Sequence, residues 1–158
     1  MEFAKVIAER HSVRTFKEET VDREIIEAII GMAGTAPSSK NSKSSQFMVI
    51  EDKDTLLAMS EMRSSGSALI QGAACAIVVL GDTSKTDLWV ENASISATFI
   101  QLAATNFGLG SCWVHVNGRP RDKKDESKGS AEDYLRELLA IKEGYKPLCI
   151  IAIGYEQA

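Results

Sequence analysis

The sequence predicts an α+β domain with α-β-α layering, in which a small central sheet is flanked by helices. Three observations carry that reading. Helical and strand periodicities follow one another in the order α-α-β-α-β-α-β-α-β. The eight-residue run Ala73 to Leu80 is apolar throughout, which suits a strand covered on both faces. From Asn92 to Gly118 there is no Asp, Glu, Lys or Arg. One long helix is therefore apolar nearly all round and belongs at the centre of the fold or of a dimer.

Each element has its own signal. Phe3, Val6 and Ile7 repeat at helical spacing, so residues 2–10 form a short helix. Asp22 is placed to cap a second helix, on which Ile25, Ile26, Ile29, Ile30 and Ala33 share one face. Gly34 and Pro37 stop it. Residues 38–45, rich in serine, are loop. Residues 46–51 form a strand. Residues 54–63 form a helix with Leu56, Leu57 and Met59 turned inward, broken by Ser64-Ser65-Gly66-Ser67. Residues 74–81 are the buried strand, and the long helix runs from Thr86 to Phe107. Gly108 and Gly110 end it. Residues 111–116 form a strand, 119–128 an exposed loop, 132–139 a short helix and 148–155 a last buried strand. With 158 residues, the chain from 1 to 158 is expected to form a single domain.

Composition excludes several classes. There are 18 Lys+Arg against 22 Asp+Glu, a net charge of −4, so no broad basic field awaits nucleic acid. The 44% hydrophobic and 25% charged content is that of a globular chain. No apolar run approaches the ~20 residues of a spanning helix, so no membrane association is expected, and no leader segment is read at the N-terminus. Cys75, Cys112 and Cys149 are odd in number and lack CxxC spacing. That argues against a disulfide framework or zinc and for a reducing, cytoplasmic setting. No metal site is expected: His11 and His115 do not make a ligand set and no HExxH occurs.

Three constellations could carry chemistry. Arg10-His11-Ser12-Val13-Arg14 follows the first helix. In extended chain Arg10, Ser12 and Arg14 point one way and Val13 the other, toward the core. Two guanidiniums and a hydroxyl make an anion clamp suited to phosphate, although the pentapeptide alone also reads as a solvated helix exit. Ala36-Pro37-Ser38-Ser39-Lys40-Asn41 has short side chains that admit a ligand to the backbone, and Asn41 offers both a donor and an acceptor. Alone, it reads better as a plain polar loop. Gly108-Leu109-Gly110-Ser111-Cys112-Trp113 allows a tight turn with exposed peptide groups. It is no dinucleotide fingerprint, because it follows a helix and lacks the third glycine. Cys112 and His115, three apart in a strand, face opposite sides, so no Cys–His dyad is expected.

In this order these pieces resemble the nitroreductase family of flavin-dependent oxidoreductases. The family has Arg-x-Ser-x-Arg/Lys after its first helix, then Ala-Pro-Ser-x-x-Asn, then a long helix ending in Gly-Leu-Gly-Ser/Thr-Cys-Trp. It closes with a short helix, an apolar strand and Gly-Tyr, here Leu138 to Gly144 and Pro147 to Tyr155. The match spans nearly the whole chain. The resemblance implies a mainly antiparallel sheet in an intertwined homodimer with FMN at the interface. It implies that Arg10 and His11 meet the phosphate, Ser12 the phosphate–ribityl region and Arg14 the pyrimidine edge of the flavin. Pro37, Ser38, Ser39 and Asn41 would come from the other subunit, and backbone at Trp113, Val114 and His115 would line the ring. NADH or NADPH would donate the hydride, and a nitroaromatic, quinone or similar small molecule would accept the electrons. No side chain need serve as a catalytic acid or base, because the flavin carries the chemistry. Two other readings stay open: a flavin-binding sensor or carrier with little turnover, and a dimer that serves interaction alone.

Lys43, Ser44 and Ser45 depart from the family's Gln, Pro and Trp. The basic tail by which many members hold the phosphate is not found after Tyr155. Arg119 and Arg121, in the loop that follows the ring-lining strand, are the expected substitutes, ahead of Lys40 and Lys43 of the neighbouring chain.

Overall fold

The computed structural model describes residues 1–158. Its order is α1 (Phe3–Glu9), α2 (Arg23–Gly34), β1 (Ser45–Ile50), α3 (Lys53–Ser60), β2 (Cys75–Asp82), α4 (Trp89–Asn106), β3 (Gly110–His115), α5 (Ala131–Leu139) and β4 (Tyr145–Gly154). Short 3₁₀ turns occupy Ser39–Asn41, Ala68–Gly72 and Glu126–Lys128. The four strands form one sheet in the order β1-β2-β4-β3, and every pairing is antiparallel.

Strand alternation divides the core into two layers. Ala76, Val78 and Leu80 of β2, Val114 of β3, and Ile150 and Ala152 of β4 face α3 and α5, where Leu56, Met59 and Leu135 meet them. Cys75, Ile77, Val79, Cys149, Ile151 and Ile153 face α2 and α4, against Ile26, Ile29, Ala97 and Ile100. The central strands β2 and β4 are thus covered on both sides, as the unbroken apolar run requires. The ladder slips between Val79 and Leu80 of β2. Pro147 of β4 pairs there, at an irregularity that accommodates its missing N–H.

Some local expectations are corrected. Asp22 precedes α2, but its side chain makes no capping hydrogen bond. Its carbonyl instead accepts the N–H groups of Ile25 and Ile26. Leu57 is 46% exposed, because the buried face of this short helix runs through Leu56, Met59 and Ser60, and Leu57 falls to one side of it. α3 ends at Ser60, sooner than expected. Ser67 turns its hydroxyl back to donate to the carbonyls of Ser60 and Arg63. Those bonds satisfy acceptors that the helix end leaves open. Asp52 and Ser130 do cap α3 and α5.

α4 buries Asn92, Ala93, Ser96, Ala97 and Ile100 against the sheet. Its other side is only partly covered: Ile95 is 37% exposed. Phe99 and Leu102 open on a groove of about 420 Å³ shared with Phe3 of α1 and Met32 of α2. No helix is long and apolar enough to cross a membrane.

Candidate functional site

The residues after α1 do not wander. Ser12 forms a parallel bridge with Ser111 at the start of β3, and Phe16 an antiparallel bridge with Glu156 just past β4. The Val13 N–H donates to the Ser111 carbonyl at 2.9 Å and the Lys17 N–H to the Tyr155 carbonyl at 2.8 Å. Residues 12–17 thereby cover the sheet where β3 begins and β4 ends. Two glycines permit this close approach. A Cβ on Gly110 would lie 2.7 Å from Val13 Cγ2, and one on Gly154 would lie 2.9 Å from Phe16 Cδ1. The first and third constellations, far apart in sequence, are therefore one surface.

Val13 is buried, and Ser12 and Arg14 are exposed, which follows the alternation of extended chain. Neither Arg10 nor Arg14 is in an ion pair. Beside the Ser12 bridge, the Ser111 hydroxyl is buried with no hydrogen-bond partner. His11 is occupied differently from expectation. Its Nδ1 donates to the Glu9 carbonyl at 2.8 Å and its Nε2 to Glu156 Oε1 at 3.0 Å. Both nitrogens face acceptors, which favours the imidazolium. The Glu156 hydrogen bond, then that to Glu9, then the Glu156 charge raise its pKa above 6.5, and slight desolvation and the Arg10 charge oppose them weakly. A cleft of about 260 Å³ opens between this pair and Gly108–Gly110.

Cys112 is buried beneath the same surface. Burial raises its thiol pKa, and Arg14 and Ser12 only partly oppose this. It is a packed thiol, not an activated nucleophile.

β3 is an edge strand. Ser111 sends its carbonyl away from β4 to Val13, whereas the Val116 N–H donates toward Leu148 of β4. Peptide groups alternate along a strand. Trp113 and His115 therefore present their backbone to the free edge. Val114 turns its peptide toward β4 and its side chain, 1% exposed, into the core. Of the three residues expected along the ring, two have backbone free to meet a ligand. The Trp113 Nε1–H donates to His115 Nδ1 at 3.2 Å, which selects a neutral imidazole carrying its proton on Nε2. Desolvation, then Arg119, then Arg63 lower the His115 pKa in the same sense.

The second constellation lies elsewhere on the chain. Asn92, 2% exposed near the start of α4, accepts the Ser39 N–H at 3.0 Å. Its amide donates to Ser42 Oγ at 3.1 Å and Ser44 Oγ at 2.9 Å. The Ser38 hydroxyl accepts the Lys43 N–H at 3.0 Å. Lys40, Asn41 and Lys43 all adopt positive φ, between 50° and 54°, so the loop is tightly wound and its Asn41 side chain is exposed. Gly108 follows the opposite end of the same helix. At ~1.5 Å per residue, roughly 26 Å of α4 separates the two ends. Within one chain Asn41 does not meet Arg14.

Arg121 does not serve as a free phosphate partner. Its Nε and Nη2 donate to the carbonyls of Met62 and Glu61 at 3.1 and 3.0 Å, and its guanidinium stacks 4.0 Å from the Tyr134 ring centroid. Arg119 and Arg121 also follow the far end of β3, roughly 13 Å from Ser111 at ~3.3 Å per residue. No group of His, Cys, Asp and Glu could hold a metal ion. Sequence reasoning passed over Asn92, Glu156 and Arg63. An amide opening a stretch without charges was the one available signal, since Asn92 stands where an apolar residue would serve packing better.

The fold and the chain's sequence are shared with known proteins. A model of the nitroreductase family matches residues 7–66 and 62–155. A protein of Archaeoglobus fulgidus, provisionally named an NADH dehydrogenase/NAD(P)H nitroreductase, is 34% identical over 158 residues, covering 98% of this chain and 85% of its own. The solved structure of an FMN-dependent nitroreductase from Clostridium difficile R20291 is similar at a TM-score of 0.90 and 38% identity, covering 97% of this chain and 87% of its own. A structure from Parabacteroides distasonis, provisionally named like the Archaeoglobus protein, has a TM-score of 0.89 and 29% identity, with 99% and 88% covered.

Proposed function

Given that the chain belongs to the nitroreductase family, we propose that it is an FMN-dependent oxidoreductase. It takes a hydride from NADH or NADPH and reduces a nitroaromatic, quinone or similar small acceptor. It does so as a homodimer with FMN at the interface. The observation that carries the reading is the partition of the site along α4. Two unpaired arginines and the free edge of β3 stand at one end, and the Ser38–Asn41 loop stands at the other. A second copy running antiparallel joins the two ends, so that Pro37, Ser38, Ser39 and Asn41 of one protomer complete the site of its partner.

The residues present fit FMN. Arg10 and Ser12 hold the phosphate with charge-assisted and neutral hydrogen bonds. The orphaned Ser111 hydroxyl gains a partner beside them. Arg14 places its charge at the pyrimidine edge, where negative charge is favoured. The backbone of Trp113 and His115 aligns the ring at the strand edge. The flavin, when bound, supplies hydride acceptance and electron release. Three free, buried cysteines support a reducing, cytoplasmic setting.

The test is anaerobic addition of NADH, and separately NADPH, to the purified yellow protein. Bleaching of the flavin absorbance, with recovery on adding a nitroaromatic or quinone, supports the reading. A yellow protein bleached by neither nucleotide would make it a flavin carrier. A colourless protein that takes up no FMN sinks the reading.

A further inference from the structure

The loop after β3 builds a second basic centre that the flavin reading does not use. Arg63, Arg121, Lys123 and Lys124 surround a surface cavity of about 490 Å³, together with Ser64 and Ser65. Arg63, Arg119, Lys123 and Lys124 have no carboxylate partner. The acid in the wall, Asp122, is already engaged. It lies 3.3 Å from Lys128 Nζ and accepts the Lys124 N–H at 2.9 Å.

Arg63 is held in place at a cost. Ser67 Oγ accepts its N–H at 3.1 Å and donates to its carbonyl at 3.0 Å. Its Nε is buried without a partner, and partial burial, then the charge of Arg119, disfavours its own charge. Converging cations with an unsatisfied buried donor are what an anion at the guanidinium tip would relieve. Apart from Pro120, no apolar side chain lines the cavity, so it does not suit an aromatic ring. The Arg119 N–H donates to the Val116 carbonyl at 3.1 Å and the Ser64 N–H to the Arg121 carbonyl at 2.7 Å, so the cavity wall hangs from the turn that directly follows the ring-lining end of β3. The FMN phosphate, at the Arg10–Ser12 end, is accounted for elsewhere.

We infer that this cavity is an anion subsite for the phosphate groups of the pyridine-nucleotide donor, holding them while the nicotinamide lies against β3. The inference rests on the oxidoreductase reading above. Its test uses the FMN-loaded protein with two hydride donors, NADH and N-benzyl-1,4-dihydronicotinamide, which carries no phosphate. Arg63→Gln, and separately Lys123→Ala with Lys124→Ala on the exposed loop, should raise the KM for NADH about tenfold with little change in kcat. The KM for the benzyl donor should stay unchanged. Inorganic pyrophosphate, titrated calorimetrically into the oxidised protein, should bind, compete with NADH alone, and weaken in both variants and with added salt. An equal rise for both donors, or none for NADH, overturns the subsite. So does a rise confined to nitrobenzoate relative to nitrobenzene, which would assign the cavity to the acceptor. Pyrophosphate binding without reduction by either donor overturns the oxidoreductase reading and the donor assignment with it.

Discussion

Arg10 and Arg14 carry charges that no carboxylate answers, and that is the residue-scale basis of the proposed flavin site, with Arg10 at the phosphate and Arg14 at the pyrimidine edge. Arg10→Ala should weaken FMN roughly tenfold to a hundredfold, the loss expected for one charged hydrogen-bonding partner. Fluorescence titration of the apoprotein measures it, and an unchanged affinity removes Arg10 from the clamp. Cys112 sits under the same surface with a pKa raised by burial, so Cys112→Ala should keep most reductase activity. Loss of turnover with flavin still bound would revive a thiol mechanism. The His11–Glu156 pair is sensitive to pH. His11 is held above its ordinary 6.5. Its contribution to stability is therefore complete below the unfolded value and fades as pH rises through the higher folded value. Glu156→Gln should flatten the thermal midpoint's dependence on pH between about 6 and 8, where wild type declines. Glu156 also sets a carboxylate beside the proposed phosphate site. At pH near 6 the same variant should bind FMN several-fold more tightly, a modest gain because the pair is exposed to solvent. Weaker binding would show that Glu156 positions His11 for the phosphate. None of this pairing was legible in the sequence, since the two residues are 145 positions apart and meet only because Phe16 bridges to the end of β4.

The elements were far more legible than their contacts. β2 declares itself by an apolar run that both layers of the core require, and α4 by its lack of charge after Glu91. Alternation alone placed Val13 inward and Ser12 and Arg14 outward. Leu57 departs from its inward expectation because the buried face of the two-turn α3 runs through Leu56, Met59 and Ser60, and so short a helix does not show in its sequence which of two adjacent leucines lies on that face. The loop at 38–44 reads as polar linker, yet its shape comes from Asn92, a residue of another element that satisfies three of its groups. Asn92→Ala should strand those partners. A loss of about 1–3 kcal/mol in urea denaturation is expected from one buried polar group left unpaired, with more if several fail to find water. If the loop serves the partner's flavin, FMN affinity should fall as well, although Asn92 touches no ligand. Full stability in Asn92→Ala would show that the positive-φ turn holds without it. Gly110 is the other structural pivot: Gly110→Ala presses on the Val13 side chain at 2.7 Å. It should lower both the melting temperature and FMN affinity by displacing Val13 from β3.

At the scale of the whole molecule, the division of the site between the two ends of α4 meets a second feature of the surface. Phe3 is 72% exposed, Ile7 49%, Met32 40% and Ile95 37%, and α1, α2 and α4 enclose an apolar groove between them. Apolar clusters of this kind mark interaction surfaces. A two-fold axis crossing this face would pair the patch with itself, as an isologous interface requires. It would also set the start of one α4 beside the end of the other. Burial of the patch and completion of two flavin sites then become one event, and assembly and cofactor binding are thermodynamically linked. Phe3→Glu combined with Met32→Glu tests this, because both side chains are exposed in the single chain and their replacement leaves its core intact. The variant should sediment as a monomer with an unchanged far-ultraviolet spectrum, and its FMN affinity should fall at least as far as that of Arg10→Ala. Excess FMN should drive part of it back to dimer, since a ligand shared by two chains favours their association. A monomer that holds FMN as tightly as wild type would return the whole site to one chain and leave the Ser38–Asn41 loop without a role in it. A variant that stays dimeric would move the interface off this face.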